Sequence, residues 1–337
     1  MLDIFRSDAF GIVPLTQFIN NLKFVPGFVS GSGLFGETSV STTAIAIEEK
    51  DNVLTLIPPT PRGGAGTTIT KAGRRLRMLA VPHFEINDAI MAEEVQGVRA
   101  FGQETGVETV MGKVGERLQT AGQSLEYTLE HARVGAIKGV ITYADGTTLD
   151  LFREYGIAVP SNIDWNLDAA TADGAIRQKC AALTRTMGAN LDGISFSGIE
   201  ALCGDQFFDA LIKAPEVRAT YLQTQAAAEL RSNYVQGGQV WGSFIFGGIR
   251  WTNYRGNVGA NPMIETTMAY FYPTGVPELF RSFVSPADYI ETVNTMGQLR
   301  YVKQYAMPND KGIHMDTQMN VLNLCTRPLA LQRGVLS

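Results

Sequence analysis

The chain has 337 residues, of which 45% are hydrophobic and 18% are charged, and its formal net charge is −5. These values are typical of a globular protein with one large or two ordinary domains, and they exclude a strongly basic nucleic-acid-binding protein. The three cysteines are widely spaced, which indicates a reducing compartment, and the sequence predicts neither a signal peptide nor a membrane span.

The first 40 residues are apolar, rich in glycine and proline, and without a helical or strand period. A segment of this kind cannot bury its aromatic side chains by itself. We therefore predict an extended arm over residues 1–40 that lies on another surface, of its own chain or of a neighbour. The aromatic residues expected to make these contacts are Phe5, Phe10, Phe18, Phe24 and Phe28.

A glycine-rich stretch at Gly31–Gly36 matches the dinucleotide-binding pattern G-x-G-x-x-G. That pattern binds a pyrophosphate only where it follows a strand and opens a helix. Here no strand is predicted before it, and residues 38–47 are strand-prone after it. We predict no cofactor, although a soluble enzyme that uses this loop for a nucleotide stays one alternative function.

Residues 41–82 are predicted to form a long two-stranded arm. Strand-prone runs flank a Pro- and Gly-rich stretch at 58–66, which can be neither a helix nor a central strand. An isolated hairpin is marginally stable in water, so the arm either leans on a partner or is a solvated loop. Its arginines are accordingly either solvated or paired with carboxylates of a neighbour. They are Arg62, Arg74, Arg75 and Arg77.

The chain is organised around a long amphipathic helix predicted at residues 105–139. Apolar residues recur every three or four positions, with charged residues between them. Internal glycines predict an irregular first third, so residues 118–138 are the safest part. The narrow apolar stripe predicts a helix that lies along a surface and is not buried all round. Its polar face includes Glu130 and Arg133.

Shorter elements are predicted on both sides of this helix. A short helix is expected from Asn87 or Asp88 to about Gly102, and a hairpin is expected around Asp145–Gly146. Residues 289–306 are amphipathic and fit either helix or strand. The remaining predictions are helices at 166–187, 199–212 and 214–222, strands at 193–197 and 266–272, a hairpin at 240–251, and a strand at 312–325 that returns to an earlier sheet.

No pattern of catalytic or metal-binding residues is found. The three histidines have no metal-type spacing, and His131 is predicted to be structural. Gly193–Ser197 is not the nucleophile elbow of a hydrolase. We therefore predict no catalytic, cofactor-binding or metal-binding residues, and no enzyme.

The order of these parts resembles the major capsid protein E family of lambda-like tailed bacteriophages, which have the Hong Kong 97 capsid fold. The resemblance covers most of the chain and depends on the order of weak motifs. They are the apolar arm, the loop with Arg62-Gly63-Gly64 and Arg74-Arg75-Leu76, an acidic short helix, the long helix ending at Lys138-Gly139, the hairpin at 142–151, a mixed region including 194–211, and the closing segments 315–319 and 324–329.

The resemblance implies an α+β capsid fold with four parts. They are an N-terminal arm at 1–40, an extended β-hairpin loop at 41–82, a peripheral domain at 83–160 plus 307–337 with its spine helix at about 105–139, and an axial domain at 161–306. In that family the extended loop overlaps a neighbouring subunit, so the resemblance favours inter-subunit roles for the loop arginines.

The function implied by the resemblance is that of the major capsid protein of a tailed double-stranded DNA phage. Such a chain self-assembles in the host cytoplasm into hexamers and pentamers of an icosahedral shell, and it becomes part of the virion. It encloses DNA without sequence-specific binding and without a membrane. The implied partners are a separate scaffolding protein, a portal and, in some members, a decoration protein. A nanocompartment shell protein of the same fold is the second alternative.

Overall fold

The computed structural model describes residues 12–21, 27–50, 74–95, 106–167, 174–223, 242–258 and 261–336. The α-helices in these ranges are α1 Ile12–Asn21, α2 Phe28–Gly31, α3 Ala92–Val95, α4 Gly106–Lys138, α5 Leu151–Tyr155, α6 Ala175–Asn190, α7 Asp205–Lys213 and α8 Pro215–Gln223. Short 3-10 helices span Ile290–Thr292, Pro308–Asp310 and Pro328–Ala330.

The strands of the described ranges form five sheets. In chain order they are β1 Gly36–Ser39, β2 Ala44–Lys50, β3 Arg74–Ala80, β4 His83–Met91, β5 Val140–Thr142, β6 Thr148–Asp150, β7 Ile163–Asp164, β8 Gly198–Cys203, β9 Ser243–Phe246, β10 Ile249–Asn253, β11 Asn257–Val258, β12 Asn261–Pro262, β13 Met268–Thr274, β14 Phe280–Val284, β15 Tyr301–Ala306, β16 Gly312–Cys325 and β17 Gln332–Val335.

The chain divides into two compact units. The first unit is drawn from residues 1–21, 38–115 and 283–322, and the second from residues 22–37, 116–282 and 323–337. These cuts differ from the domain boundaries expected from the sequence. The assignment of arm, extended loop, peripheral domain and axial domain therefore stays a prediction.

A five-stranded sheet in the order β1-β14-β16-β15, with β4 also paired to β16, dominates the first unit. β4 runs antiparallel to β16 from Met91 opposite Gly312 to His83 opposite Asn320. The predicted returning strand at residues 312–325 is therefore confirmed. The short helix predicted from Asn87 or Asp88 begins later than expected, because both residues belong to β4 and pair with β16. Within the described part of the predicted range, Ala92–Val95 is helical.

Part of the predicted N-terminal arm is a helix in the first unit, which corrects the expectation of an extended chain. Pro14 lies in the first turn of α1, where proline is tolerated. The backbone N–H of Val302 donates to Thr16 Oγ1 at 3.2 Å, and the Asn20 side chain donates to the carbonyl of Arg300 at 2.9 Å. These bonds fasten α1 to β15 of its own chain.

The second unit contains a six-stranded mixed sheet in the order β7-β17-β13-β8-β10-β9. Its core is aromatic: Trp165 lies 5.1 Å from Trp251 and 5.4 Å from Phe271, measured between ring centroids, and all three are buried. Phe207 of α7 stacks on Trp251 at 6.2 Å. Large aromatic side chains supply most of the apolar area in a core of this kind.

Two sequence predictions in the second unit are wrong. Residues 199–212 are not one helix: β8 ends at Cys203 and α7 begins at Asp205. Gly204 separates them, and a side chain there would overlap the backbone at Glu265. The strand predicted at 193–197 is displaced, because β8 starts five residues later. Residues 199–203, which were expected to be helical, are in β8 because pairing with β10 and β13 outweighs their helical propensity.

The bounds of the long helix and both hairpins agree with the sequence predictions. The irregular first third expected from the internal glycines is wrong, because α4 spans Gly106–Lys138 without interruption. Hairpin turns occur at Asp145–Gly146 and Gly247–Gly248, with the glycines at positive φ. Of the helices that the structure describes, none has both the length and the hydrophobicity that a membrane crossing requires.

Candidate functional site

The C-terminal part of α4, from residue 116 to residue 138, is the element around which the second unit is arranged. The predicted apolar stripe is buried at Leu118, Ala121, Leu125, Leu129, Ala132 and Ala136. From Glu130 onward, however, the opposite face is buried as well, and it includes Arg133 and Ile137. The expectation of a helix lying along a surface is therefore wrong for its last two turns.

Close approach of the backbone explains part of this burial. A side chain at Gly135 would lie 2.9 Å from the Cα atom of Ile141, so β5 packs directly on the helix. Real Cβ atoms essentially never come this close to another heavy atom. Glycine at this position lets the hairpin that follows α4 fold back against its last turns.

The buried carboxylate of Glu130 holds two segments that are distant in sequence. Its Oε1 atom accepts hydrogen bonds from the N–H of Val29 at 2.8 Å and from the hydroxyl of Tyr254 at 3.0 Å. Its Oε2 atom accepts from the N–H of Ser30 at 2.8 Å. Three donors to one carboxylate offset the cost of removing its charge from water. Burial, followed by the nearby Glu130 charge, raises the pKa of Tyr254.

Arg133, one turn further along α4, connects the ends of three strands. Its Nη2 atom donates to Glu37 of β1 at 2.6 Å and to the Ser282 hydroxyl of β14 at 3.4 Å. Ser282 in turn donates to the side-chain oxygen of Asn323 on β16 at 2.5 Å. The guanidinium carbon also lies 5.4 Å from the ring centroid of Phe35. One buried cation thus links β1 and β14 directly, and β16 through the Ser282 hydroxyl.

Lys138 closes the helix with a third polar anchor. Its ammonium group donates to Glu265 at 2.6 Å and to the carbonyl of Met263 at 3.3 Å, and it lies 5.2 Å from the Tyr270 ring centroid. Tyr270 donates to the other carboxylate oxygen of Glu265 at 2.7 Å. Burial acts to raise the pKa of Glu265, but the bonds from Lys138 and Tyr270 outweigh it, and the pKa is lowered.

These three anchors connect distant segments of the chain. The charged group of each one is bonded to backbone or side-chain partners of its own chain. Within the described ranges, no group of three or more His, Cys, Asp or Glu residues could hold a metal ion. Burial raises the pKa of the Cys180 and Cys325 thiols to about 12, so neither is poised to react.

The predicted loop arginines are placed only in part. β2 and β3 pair antiparallel, with Arg74 opposite Lys50, Arg75 opposite Glu49 and Arg77 opposite Ile47. Arg62 lies outside the described residues. The structure therefore brings three of the four arginines onto one strand of the predicted arm, and their contact with a neighbouring subunit stays a prediction.

The predicted arm phenylalanines divide in the same way. Phe5, Phe10 and Phe24 lie outside the described residues. Phe18 on α1 is 44% exposed, whereas Phe28 is half-buried with its ring edge toward Tyr254, at 6.3 Å between centroids. Phe28 therefore contributes to its own subunit, and Phe18 keeps an exposed apolar surface.

The Gly31–Gly36 stretch has the reverse of the dinucleotide-binding order. α2 ends at Gly31 and β1 begins at Gly36, so a helix precedes the turn and a strand follows it. The side chain of Phe35 fills the space beside the turn and packs on Phe280 at 5.1 Å between centroids. This geometry gives no support to a nucleotide site.

Comparison with solved structures identifies the fold. A crystal structure described as a prophage capsid protein of Escherichia coli CFT073 superposes with a TM-score of 0.63 at 12% identity, over 97% of this chain and 99% of that one. The protein is thus an α+β protein with the Hong Kong 97-like phage capsid fold, as the sequence predicted.

Comparison of sequences identifies the family. The sequence model of phage major capsid protein E matches residues 11–336. The major capsid proteins of Pseudomonas phage KPP10 and Salmonella phage Felix O1 are each 24% identical, over 96% and 98% of this chain and 96% and 97% of their own lengths. The chain belongs to the phage major capsid protein E family, and the predicted function as a phage major capsid protein is confirmed.

Sequence reasoning did not find the anchors at Glu130 and Arg133, which it placed on the exposed face. A usable signal was present. Between Arg133 and Lys138 the chain reads Val-Gly-Ala-Ile, so four consecutive residues near the end of the helix have no polar side chain. A helix without polar positions on any side is buried all round.

Proposed function

We propose that this chain forms the hexamers and pentamers of an icosahedral shell that encloses the double-stranded DNA of a tailed phage. The observation that carries the proposal is the family match over residues 11–336. The role is structural and not catalytic, which agrees with anchors whose partners lie within the chain. A closed shell needs one chain to make several interfaces, each of which can be weak because many act together.

The β2–β3 arm and the N-terminal segment supply the proposed contacts between subunits. Strand pairing brings Arg74, Arg75 and Arg77 onto an arm of only two strands, which has little core of its own. Arginine suits such a contact because its planar group binds a carboxylate through two hydrogen bonds. Phe18 presents an exposed ring for the same purpose.

The proposed partners are a separate scaffolding protein, a portal, a decoration protein where the phage has one, and the enclosed DNA. The net charge of −5 supports an interior that binds DNA weakly and without sequence preference. Each phosphate neutralised by a lysine or arginine would add affinity and resist packaging and ejection. Assembly takes place in the host cytoplasm.

The test is expression of the chain alone and together with the scaffolding protein of its phage, followed by electron microscopy and sedimentation. We expect shells with the scaffold, and aberrant tubes or heterogeneous particles without it. A compact monomer that stays monomeric at high concentration with the scaffold present would overturn the proposal. Nuclease-protected DNA in particles from infected cells separates a phage shell from a nanocompartment, which would enclose protein cargo.

A further inference from the structure

β15 lies at an edge of the five-stranded sheet in the first unit. In the order β1-β14-β16-β15 it is the last strand, and within the described part of the chain it pairs only with β16. The outer side of an edge strand presents backbone N–H and C=O groups that a strand of another chain can bind. The way in which this edge is covered therefore affects how copies of the chain associate.

Two polar side chains of α1 bind the backbone at this edge. The N–H of Val302 donates to Thr16 Oγ1 at 3.2 Å, and the Asn20 side chain donates to the carbonyl of Arg300 at 2.9 Å. Backbone N–H groups alternate between the two sides of an antiparallel strand, so the N–H of Val302 points away from β16. Thr16 and Asn20 are one helical turn apart, which lets α1 present both of them to the strand.

Apolar packing holds the same face of α1 against the first unit. Leu15 and Ile19 are buried beside Thr16, whereas Phe18 on the other side of the helix is exposed. Ile12 packs on a buried cluster that consists of Ala287, Tyr289 and Tyr301. A helix of ten residues is too short to be stable by itself in water. α1 therefore depends on this docking for its helical form, and its release from the edge would also unfold it.

The residues of β15 itself protect its edge poorly. Proteins commonly protect an edge strand with proline, with charged side chains or with a covering helix. The sequence of β15, Tyr-Val-Lys-Gln-Tyr-Ala, has no proline and one charged residue. That residue, Lys303, donates to both carboxylate oxygens of Glu291 at 2.8 and 2.9 Å, so its charge is balanced within the chain. Tyrosine and valine favour strand pairing, which leaves α1 as the principal protection.

From these observations we infer that α1 is an edge cap: it covers the outer edge of β15 and prevents this strand from pairing with the β15 strand of another copy of the chain. Pairing along strand edges is a route to aggregation when many copies are close together. The inference goes beyond the proposed function, because it concerns a contact that the chain avoids. It also assigns separate roles to the two sides of α1, since Thr16 and Asn20 face the strand and Phe18 does not.

Removing the two polar contacts tests whether they fasten the cap. The double substitution Thr16→Val with Asn20→Ala, named the uncapped variant, deletes the acceptor for Val302 and the donor to the strand. Hydrogen exchange of the Val302 amide should be faster in the uncapped variant than in the unsubstituted chain. The matched control is Gln17→Ala, at an exposed position of the same helix, which should leave the exchange rate unchanged.

Cross-linking of unassembled subunits measures pairing between β15 strands. The three natural cysteines are buried, so Tyr305→Cys on β15, where the native side chain is 48% exposed, introduces one accessible thiol. With a short bis-maleimide reagent, Tyr305→Cys should give covalent dimers about tenfold faster in the uncapped variant than in the capped chain. Gln123→Cys, at an exposed position of α4, should give the same low rate in both.

Several results would overturn the inference. Fast exchange at Val302 without additional Tyr305→Cys dimers would show that the open edge does not pair. Unchanged exchange in the uncapped variant would show that Thr16 and Asn20 do not fasten α1. Equal dimer formation with and without the cap, or additional dimers from Gln123→Cys, would show that the association does not depend on this edge.

A milder variant keeps the test open to a folding defect. Circular dichroism checks each protein, and Thr16→Val alone, which exchanges a hydroxyl for a methyl group, replaces the uncapped variant if the double substitution does not fold. It should raise the exchange rate and the dimer yield in the same direction. All of these measurements use unassembled subunits, so their outcome is separate from whether the chain forms the proposed shell.

Discussion

Tyr254 donates its hydroxyl hydrogen to the buried carboxylate of Glu130 at 3.0 Å, across 124 residues of sequence. The same carboxylate accepts hydrogen bonds from the N–H groups of Val29 and Ser30, so one residue of α4 fastens the α2 segment of the predicted N-terminal arm. A shell protein must hold its extended segments at fixed points while other parts contact neighbours. Glu130 and Arg133 supply such points from one helix.

Glu130→Ala is expected to lower the free energy of unfolding by about 3 kcal/mol, because buried N–H and O–H donors lose their common acceptor. Denaturant unfolding of the unassembled subunit measures this. Gln123→Ala, at an exposed position of the same helix, should change the free energy by less than about 0.5 kcal/mol. Equal effects of the two substitutions would show that the carboxylate does not fasten this segment.

Two glycines of α4 should respond in opposite directions to the same substitution. A side chain at Gly112 meets nothing within 4 Å, so Gly112→Ala should raise the free energy of unfolding by about 0.5–1 kcal/mol through helix propensity. Gly135→Ala should lower it by about 1–3 kcal/mol, because the new methyl group presses on Ile141 of β5. Thermal unfolding of both variants provides the comparison. Stabilisation by Gly135→Ala would mean that β5 does not pack on the helix as described.

The hydrogen-bonded ion pair between Lys138 and Glu265 should make the stability of the folded chain depend on pH. Its pKa is lowered in the folded chain from an ordinary value of 4.5, so its stabilising contribution is present above that value and is lost as pH falls through the folded pKa. At pH 7 the unsubstituted chain should therefore have a higher melting temperature than Glu265→Gln, and the difference should shrink below pH 4.5. Melting curves at several pH values measure it.

Removing the cation is the control for this pH dependence. Lys138→Met keeps the apolar stem of the side chain and loses the ammonium group that bonds Glu265. In that background the effect of Glu265→Gln on the melting temperature should vary much less with pH. An unchanged pH dependence would assign the lowered pKa to a partner other than Lys138.

The loop arginines are tested by a double substitution, Arg74→Ala with Arg75→Ala. A charge pair partly buried at an interface costs roughly 2–5 kcal/mol when one partner is removed, so particle yield should collapse. The melting temperature of the unassembled subunit should hardly change. The control replaces Arg185 and Arg218, which are exposed on α6 and α8, by alanine. Normal assembly would show a solvated arm, and failure to fold would assign these arginines to the subunit's own structure.

Elements with strong local patterns could be predicted from the sequence. The period of three to four residues predicted α4 to within a residue at each end, and Asp145–Gly146 predicted its hairpin. The run at 312–325 was correctly assigned as a strand. In each case the information lies in neighbouring residues, because helix period, turn residues and strand alternation are local properties.

Elements that depend on distant partners were missed. β4 and β8 contain residues that suit a helix, and their state is decided by pairing with β16 in one sheet and with β10 and β13 in the other. α1 has too few residues to show a clear period, and its bonds to the β15 region stabilise it.

By itself, the sequence determined the family and the long helix. Only the tertiary structure decided that Glu130 and Arg133 are buried, because their partners come from segments 96 to 149 residues away. Only the structure showed that Ile290, Val293 and Met296 are each exposed. The physical reason is the same for the buried and the exposed residues. Whether a side chain is exposed to water depends on which distant segments pack on it. The spacing of apolar residues along the chain indicates only which face of an element is suited to burial.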